Sequence, residues 1–482
     1  MNYGQFLYML PEFALVIALI IVFAFDFAFS KNGEFRGEKS NTTLGRLTIF
    51  MLMSVGLAIF SAMRQEDTVT AFGGLYVAPQ AVSVMKLVLT FGTIIVVIMA
   101  QSWAETRQRI AGEFYMLILS TLLGMFVMMS SGNFLLFFLG LEMASVPLAC
   151  MVAFDKNRNS AEGAAKYILV ATFSSGVMLF GISFIYAATG TLYFGDVADK
   201  LTAEPLTIMG LAFFFSGLGF KISLVPFHFW TADTYQGAPT PVTGYLSVIS
   251  KGAAAITLCI ILMKVFQPMV EYWDYMLYIV IVLSITVANL FAIRQSELKR
   301  FMAFSSISQA GYIMLAVVGN SQLGIAALTY YVLVYIVANM AVFSVINVVE
   351  QNNGGRTDMA AYNGFYQTNP KLSFLMTLAL FSLAGIPPFA GMFSKFFVFM
   401  AGVENGDPAA YFVVFIALVN TVVSLYYYLL IVKAMYITKT DSPLPTFKSD
   451  EGTKIALGIC TAGIALFGVV SCIYEWIASA GL

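Results

Sequence analysis

Glu142, Lys221, Lys251 and Lys395 stand inside long apolar runs, where a side chain able to hold or release a proton is costly to keep. Insertion scales put one charge at a bilayer centre at roughly 2.5–3.5 kcal/mol, so these four would together cost about 10–14 kcal/mol. A whole domain is stable by only about 5–15 kcal/mol. Such charges must therefore be paired, hydrated or both. Two unit charges about 4 Å apart interact by about 4 kcal/mol at an effective dielectric near 20. A carboxylate that approaches or leaves can thus switch a buried lysine between holding and releasing its proton. The chemistry these types suggest is a proton relay: Glu142 sets the affinity of Lys221, and Ser174, Ser175, Ser247, Ser250, Thr240, Thr243 and Tyr245 order water toward Lys251 and Lys395. The bland reading of the same residues is a static Glu142–Lys221 ion pair with hydrogen-bonded lysines beyond it.

Other polar side chains are candidates of lower rank. His228, the single histidine, could relay protons or bond a carbonyl at the mouth of an interrupted helix. Asp233 could be an access carboxylate or a cap for the following helix. Lys166, close to the start of an apolar segment, could join the path or reach back to the interface, and Lys86 is expected to snorkel in the same way. Glu12 and Asp26 lie near opposite ends of the first apolar run, where headgroup or solvent positions are expected.

The elements that must position these groups are transmembrane helices. The chain has 482 residues, 60% of them hydrophobic and 11% charged, and its mean hydropathy is +0.85, which predicts an all-α polytopic membrane protein. A net charge of −1 gives no reason to expect nucleic acid. Cys150, Cys259, Cys460 and Cys472 are scattered without the spacing of a zinc or iron–sulfur site. One histidine cannot supply a bis-histidine haem, and Gly217 and Gly219 lack the rest of a dinucleotide fingerprint. No cofactor or metal is expected in this chain. The first apolar run is expected to be a retained helix, since it lacks a small-residue cleavage site.

At about 20 residues per crossing, about fourteen helices are expected, centred near residues 17, 53, 90, 120, 144, 176, 214, 252, 284, 310, 335, 385, 422 and 466. Alternate connections are rich in base: Lys31, Arg36, Lys39 and Arg46; Arg107 and Arg109; Lys156 and Arg158; Arg294, Lys299 and Arg300; Arg356 and Lys371; Lys433, Lys439, Lys448 and Lys454. The intervening ones hold only Arg64, Lys200 and Lys264. The positive-inside rule makes the basic side cytoplasmic, which leaves both termini outside. "KISLVPFHFW" at 221–230 and "GIPPFAGMFSKFF" at 385–397 each couple a proline interruption to a lysine. Interrupted helices at corresponding places in two halves point to inverted repeats around a midplane site. The expected organisation is an N-terminal three-helix segment (1–110), a first repeat of helices 4–8 (111–267), a second of helices 9–13 (268–440), and a loop with the last helix (441–482), helices 7 and 12 being broken.

Four stretches in this order, "LGLEMASVPLACMVAF", "GLGFKISLVPFHFWTADTYQGAPTPVTGYLSVISKGAA", "QSELKRFMAFSSISQAGYIML" and "LAGIPPFAGMFSKFFVF", resemble the antiporter-like proton-channel subunits of respiratory complex I, the NADH:quinone oxidoreductase of bacterial inner membranes. The resemblance covers nearly the whole chain. It implies a fourteen-helix fold with two inverted five-helix repeats, a Glu142–Lys221 pair, and a path continued by Lys251 and Lys395. It also implies that FMN, iron–sulfur clusters, NADH and quinone belong to partner subunits, and that the partners are other membrane and peripheral subunits, especially antiporter-like and small membrane ones, within the lipid bilayer. The few residues after the last helix, and Lys395 itself, favour the N-type branch over the L and M types. A subunit of a multi-subunit sodium/proton antiporter resembles the same pattern and is the alternative. A purely structural scaffold would leave the lysines' cost unexplained.

Overall fold

The computed structural model describes residues 3–29, 38–63, 68–107, 111–441, 443–470 and 472–481. Lys31, Arg36, Arg64 and Arg109, used above for orientation, lie outside them, as does the Lys39 side chain. The N-terminal segment comprises α1 (Leu10–Phe29), α2 (Glu38–Ala62), a hairpin of β1 (Thr68–Ala71) and β2 (Tyr76–Pro79), and α3 (Gln80–Glu105). A first series follows: α4 (Ala111–Met129), α5 (Phe134–Val152), α6 (Arg158–Thr189), the short α7 (Phe194–Lys200), α8 (Pro205–Ile222), α9 (Trp230–Gly237) and α10 (Thr240–Lys264). A second comprises α11 (Val270–Ile293), α12 (Leu298–Val318), α13 (Gln322–Asn352), the single turn α14 (Phe365–Thr368), α15 (Pro370–Ala384), α16 (Ala390–Gly402) and α17 (Pro408–Tyr436). The chain ends with α18 (Glu451–Val469) and the short α19 (Cys472–Ala478).

Among the described residues, 13 helices are long and apolar enough to cross a bilayer. The remaining expected crossing is split between α15 and α16, of 15 and 13 residues, each too short to span about 30 Å at 1.5 Å per residue. The last crossing ends at Val469, so its expected centre near residue 466 falls in its final turn. Helices satisfy their own backbone groups, which hydrocarbon demands. Apolar residues such as Leu57, Phe173 and Val422 turn outward from the rim. α10, α12 and α13 are almost wholly enclosed and form the centre, and they carry the polar residues the rim lacks.

Both interruptions satisfy the groups they free. Past α8, Ser223 adopts a left-handed conformation (φ 67°). Leu224 N donates to Gly219 O (2.9 Å), Trp230 Nε1 to Phe220 O (3.1 Å), and Val225 N to Ser284 Oγ (2.9 Å). Past α15, Gly385 (φ 87°) closes the helix, its N–H reaching Phe381 O (3.1 Å) and Ser382 O (3.0 Å). Two carbonyls left over there are taken by side chains from elsewhere: Gln309 Nε2 donates to Leu383 O (3.2 Å) and Lys395 Nζ to Ala384 O (3.0 Å).

The N-terminal segment departs from expectation. Lys86 does not snorkel: it is fully buried, with Nζ 2.6 Å from Glu12 Oε1. Glu12 is 3% exposed and not at a headgroup position. The Tyr76 hydroxyl on β2 donates to Glu12 Oε2 (3.1 Å) and accepts from Lys86 (3.2 Å). The first helix supplies the carboxylate that allows an ammonium to be enclosed so near a span end.

Candidate functional site

Glu142 and Lys221 do not form the direct ion pair weighed above. The half-buried Glu142 lies on α5, and its Oε1 accepts from Ser175 Oγ of α6 (2.6 Å). Lys221, 3% exposed on the last turn of α8, donates to Ser145 Oγ (2.8 Å) and Tyr167 OH (3.1 Å). Ser145 stands three residues after Glu142, hence on the same face of α5. The carboxylate and the ammonium are thus neighbours held apart by neutral hydroxyls. Among the described residues, no carboxylate forms an ion pair with Lys221, Lys251 or Lys395.

Lys251, on α10 and 1% exposed, donates to Ser306 Oγ of α12 (2.7 Å) and lies over the Tyr235 ring (5.4 Å). Ser306 Oγ is also 3.3 Å from Tyr235 OH and donates to Ser247 O (3.3 Å), while Ser247 Oγ accepts from Asn339. One turn along α12, Gln309 accepts from Tyr331 and donates to Tyr428 OH (3.2 Å). Lys395, 4% exposed on α16, lies over the Tyr312 ring (4.9 Å). A cavity of ≈10 Å³, lined by Gln309, Tyr331, Tyr335 and Ser394 among others, adjoins Lys395; that is about the room one water needs. On the other side, the Trp230 ring bridges Tyr167 (5.0 Å) and Tyr235 (6.4 Å). Lys221 and Lys251 thus lie at either end of the packed Tyr167, Trp230 and Tyr235 rings, and Gln309, one turn from Ser306, shares the small cavity with Lys395.

His228 is 8% exposed and stacked on Phe229 (4.6 Å), with Nδ1 buried and without a hydrogen-bond partner among the described residues. Asp233 does not cap the following helix; α10 starts after Pro239 with no side-chain cap. Its carboxylate holds Lys166 Nζ (2.6 Å) and Arg300 Nη1 (2.5 Å), and Arg300 also donates to Gln236 Oε1 (2.9 Å). Lys166 is 43% exposed and pairs with Glu162 as well (2.7 Å), so it does reach the surface. Lys299, counted above with the loops, is enclosed: its ammonium donates to Ala238 O (3.0 Å) and Glu350 Oε1 (2.9 Å), and Thr240 donates to the other Glu350 oxygen. Of the hydroxyls expected to order water, Ser175 and Ser247 touch this network. Thr240 turns to Glu350, Thr243 bonds backbone carbonyls, and Tyr245 OH accepts from Thr121 (2.9 Å).

Sequence reasoning missed Ser145, Tyr167, Ser306, Gln309, Lys299 and Glu350. Only the polar run "FSSISQ" within an apolar helix gave a signal, for Ser306 and Gln309.

Residues 131–424, which contain Glu142 and the three lysines, match the family described as "NADH:quinone oxidoreductase/Mrp antiporter, TM". The NADH-quinone oxidoreductase subunit N of Phocaeicola vulgatus is 61% identical over 413 residues, 85% of this chain and 87% of its own length. That of Azobacteroides pseudotrichonymphae is 47% identical over 99% of this chain and 98% of its own. A chain of respiratory complex I from Thermus thermophilus superposes with a TM-score of 0.82 at 29% identity, over 98% of this chain and 100% of that one. Identity at these levels over most or all of both chains, on a fold that buries the three lysines, places the chain in the subunit N family of NADH-quinone oxidoreductase.

Proposed function

We propose that this chain translocates protons in the membrane arm of NADH:quinone oxidoreductase, driven by quinone reduction in partner subunits. The observation that carries the reading is the state of Lys221, Lys251 and Lys395: each is buried, each hydrogen-bonds neutral oxygens, and among the described residues none is neutralised by an ion pair. An ammonium so placed is expensive in hydrocarbon, and losing its proton relieves that cost. The neutral hydroxyls that Lys221 and Lys251 meet accept and donate alike, which suits them to pass a proton on to water without trapping it. Glu142 supplies the movable charge: while its carboxylate faces Lys221 the ammonium is favoured, and when it is neutralised the proton moves on to Lys251 and Lys395. Lys166 and Asp233, ion-paired and both partly exposed, serve as the access side, with the buried His228 as the next station.

FMN, iron–sulfur clusters, NADH and quinone are assigned to other subunits, and the direct neighbours to antiporter-like and small membrane subunits. The chain is placed in a bacterial inner membrane with both termini outside. Residues 111–267 and 268–440 are read as inverted repeats, since each contains one broken helix with its lysine beside the break. A sodium/proton antiporter subunit is the second reading, because the matched family covers both; the 61% identity to a subunit N favours the first.

The test is the assembled complex with Glu142→Gln, reconstituted in vesicles. NADH-driven proton uptake should fall by about a hundredfold, the low end of what a positioned proton-transfer group contributes, with subunit composition unchanged. Full uptake would overturn the proposal. Purification with small membrane subunits alone, accompanied by sodium/proton exchange, would establish the second reading instead.

A further inference from the structure

Far from the lysine line, a cavity of ≈790 Å³ opens at one end of the bundle between the start of α15, segment 446–449 and the first half of α18. Its polar half carries Lys371, Lys448 and Lys454 with the hydroxyls of Thr368, Thr446 and Ser449. Its other half is apolar, made by Leu372, Leu375, Leu457 and Ala462. The walls are fixed to each other: Asn369 donates to Pro445 O (2.9 Å) and accepts from Phe447 N (2.9 Å), and Thr446 Oγ1 donates to Thr368 O (3.2 Å). Among the described residues, none of the three lysines has a carboxylate partner. The nearby Asp450 is occupied in capping α18, accepting from Thr453 N (2.9 Å) and Thr453 Oγ1 (2.6 Å).

Three like charges around one cavity repel unless an anion joins them. The volume lies within the roughly 300–1,000 Å³ of small-molecule sites, so a free phosphate would leave most of it empty. The two helices that wall the cavity also expose large apolar side chains, Phe374 on α15 and Ile455 and Leu466 on α18. A basic rim on an apolar, membrane-facing wall has the two-part chemistry of an anionic lipid. We propose that this cavity binds the headgroup of an anionic phospholipid, its phosphate among Lys371, Lys448 and Lys454 and its acyl chains over Leu375, Leu457 and Ala462.

This does not rest on the proton-transfer reading and is tested without measuring activity. The assembled complex is reconstituted in phosphatidylcholine vesicles containing photoactivatable phosphatidylglycerol, and cross-linked peptides are mapped. Label is expected on the peptides covering 368–375 and 446–462. It should fall about fivefold for each of Lys371→Gln, Lys448→Gln and Lys454→Gln, since a lysine near an anionic lipid surface is worth about 1 kcal/mol. The single variants keep the comparison open should the triple variant fail to assemble. Equal labelling by photoactivatable phosphatidylcholine, no labelling of these peptides, or undiminished labelling of the variants would overturn the proposal. Displacement by millimolar inorganic phosphate would assign the site to free phosphate instead. Cross-links from this cavity to another subunit would show that protein, not lipid, covers it.

Discussion

At the scale of single residues, the lysines differ in what holds them. Lys86 is closed by a carboxylate and a phenol, so its charge is fixed; removing one partner of such a pair usually costs about 3–5 kcal/mol. Lys251 has Ser306 Oγ as its hydrogen-bond acceptor and the Tyr235 ring beneath it. Ser306→Ala removes that acceptor and leaves the ammonium's donor unmet, at about 1–3 kcal/mol. The expected outcome is slowed NADH-driven proton uptake in an assembled complex, recovered by Ser306→Thr, which keeps the hydroxyl. If the alanine variant pumps at the full rate, Ser306 does not hold the proton path together.

At the scale of elements, the break between α15 and α16 turns a helix end into a lysine site. The terminal carbonyls of α15 carry partial negative charge, and Lys395 sits on one of them. Gly385 makes this possible. Its φ of 87° is a left-handed conformation, and a Cβ there would lie 3.1 Å from Lys395 Cδ. Gly385→Ala should therefore cost about 1–2 kcal/mol of backbone energy and push Lys395 off Ala384 O. Lower thermal stability together with impaired proton uptake is the expected pair of effects. Gly176→Ala, where an added Cβ meets nothing within 4 Å, is the control and should leave both unchanged. The α8–α9 break achieves its closure differently, by lending Ser284 and Trp230 to the backbone, so Lys221 is free to bond side chains instead of a carbonyl.

At the scale of the whole molecule, the apolar rim and polar centre follow from solvent: lipid outside penalises what the enclosed α10, α12 and α13 can hold together. The proposed orientation rests on the charged connections. In a background with Cys150 and Cys472 replaced by serine, Lys439→Cys should react with an impermeant thiol reagent from the cytoplasmic side and Lys200→Cys from the outer side. Labelling in the reverse sense would invert the assigned topology and with it the direction of access through Lys166 and Asp233.

Membrane class, the positions of the crossings and the two breaks were legible in the sequence because they depend on local quantities: the length of an apolar run, and proline and glycine beside a charge. The burial of Lys221, Lys251 and Lys395 was legible for the same reason, since no snorkelling path leads out from mid-span. Partners were not. Lys86 meets Glu12 74 residues away, Lys251 meets Ser306 55 residues away, and Lys299 is enclosed by Glu350 51 residues on. Whether a lysine near a span end snorkels or is buried depends on what the neighbouring helix offers it, and only packing decides which helix that is. The same holds for Glu142: the sequence placed it midway along an apolar helix, and the packing of α5 against α6 gave it Ser175 in place of a direct bond to Lys221.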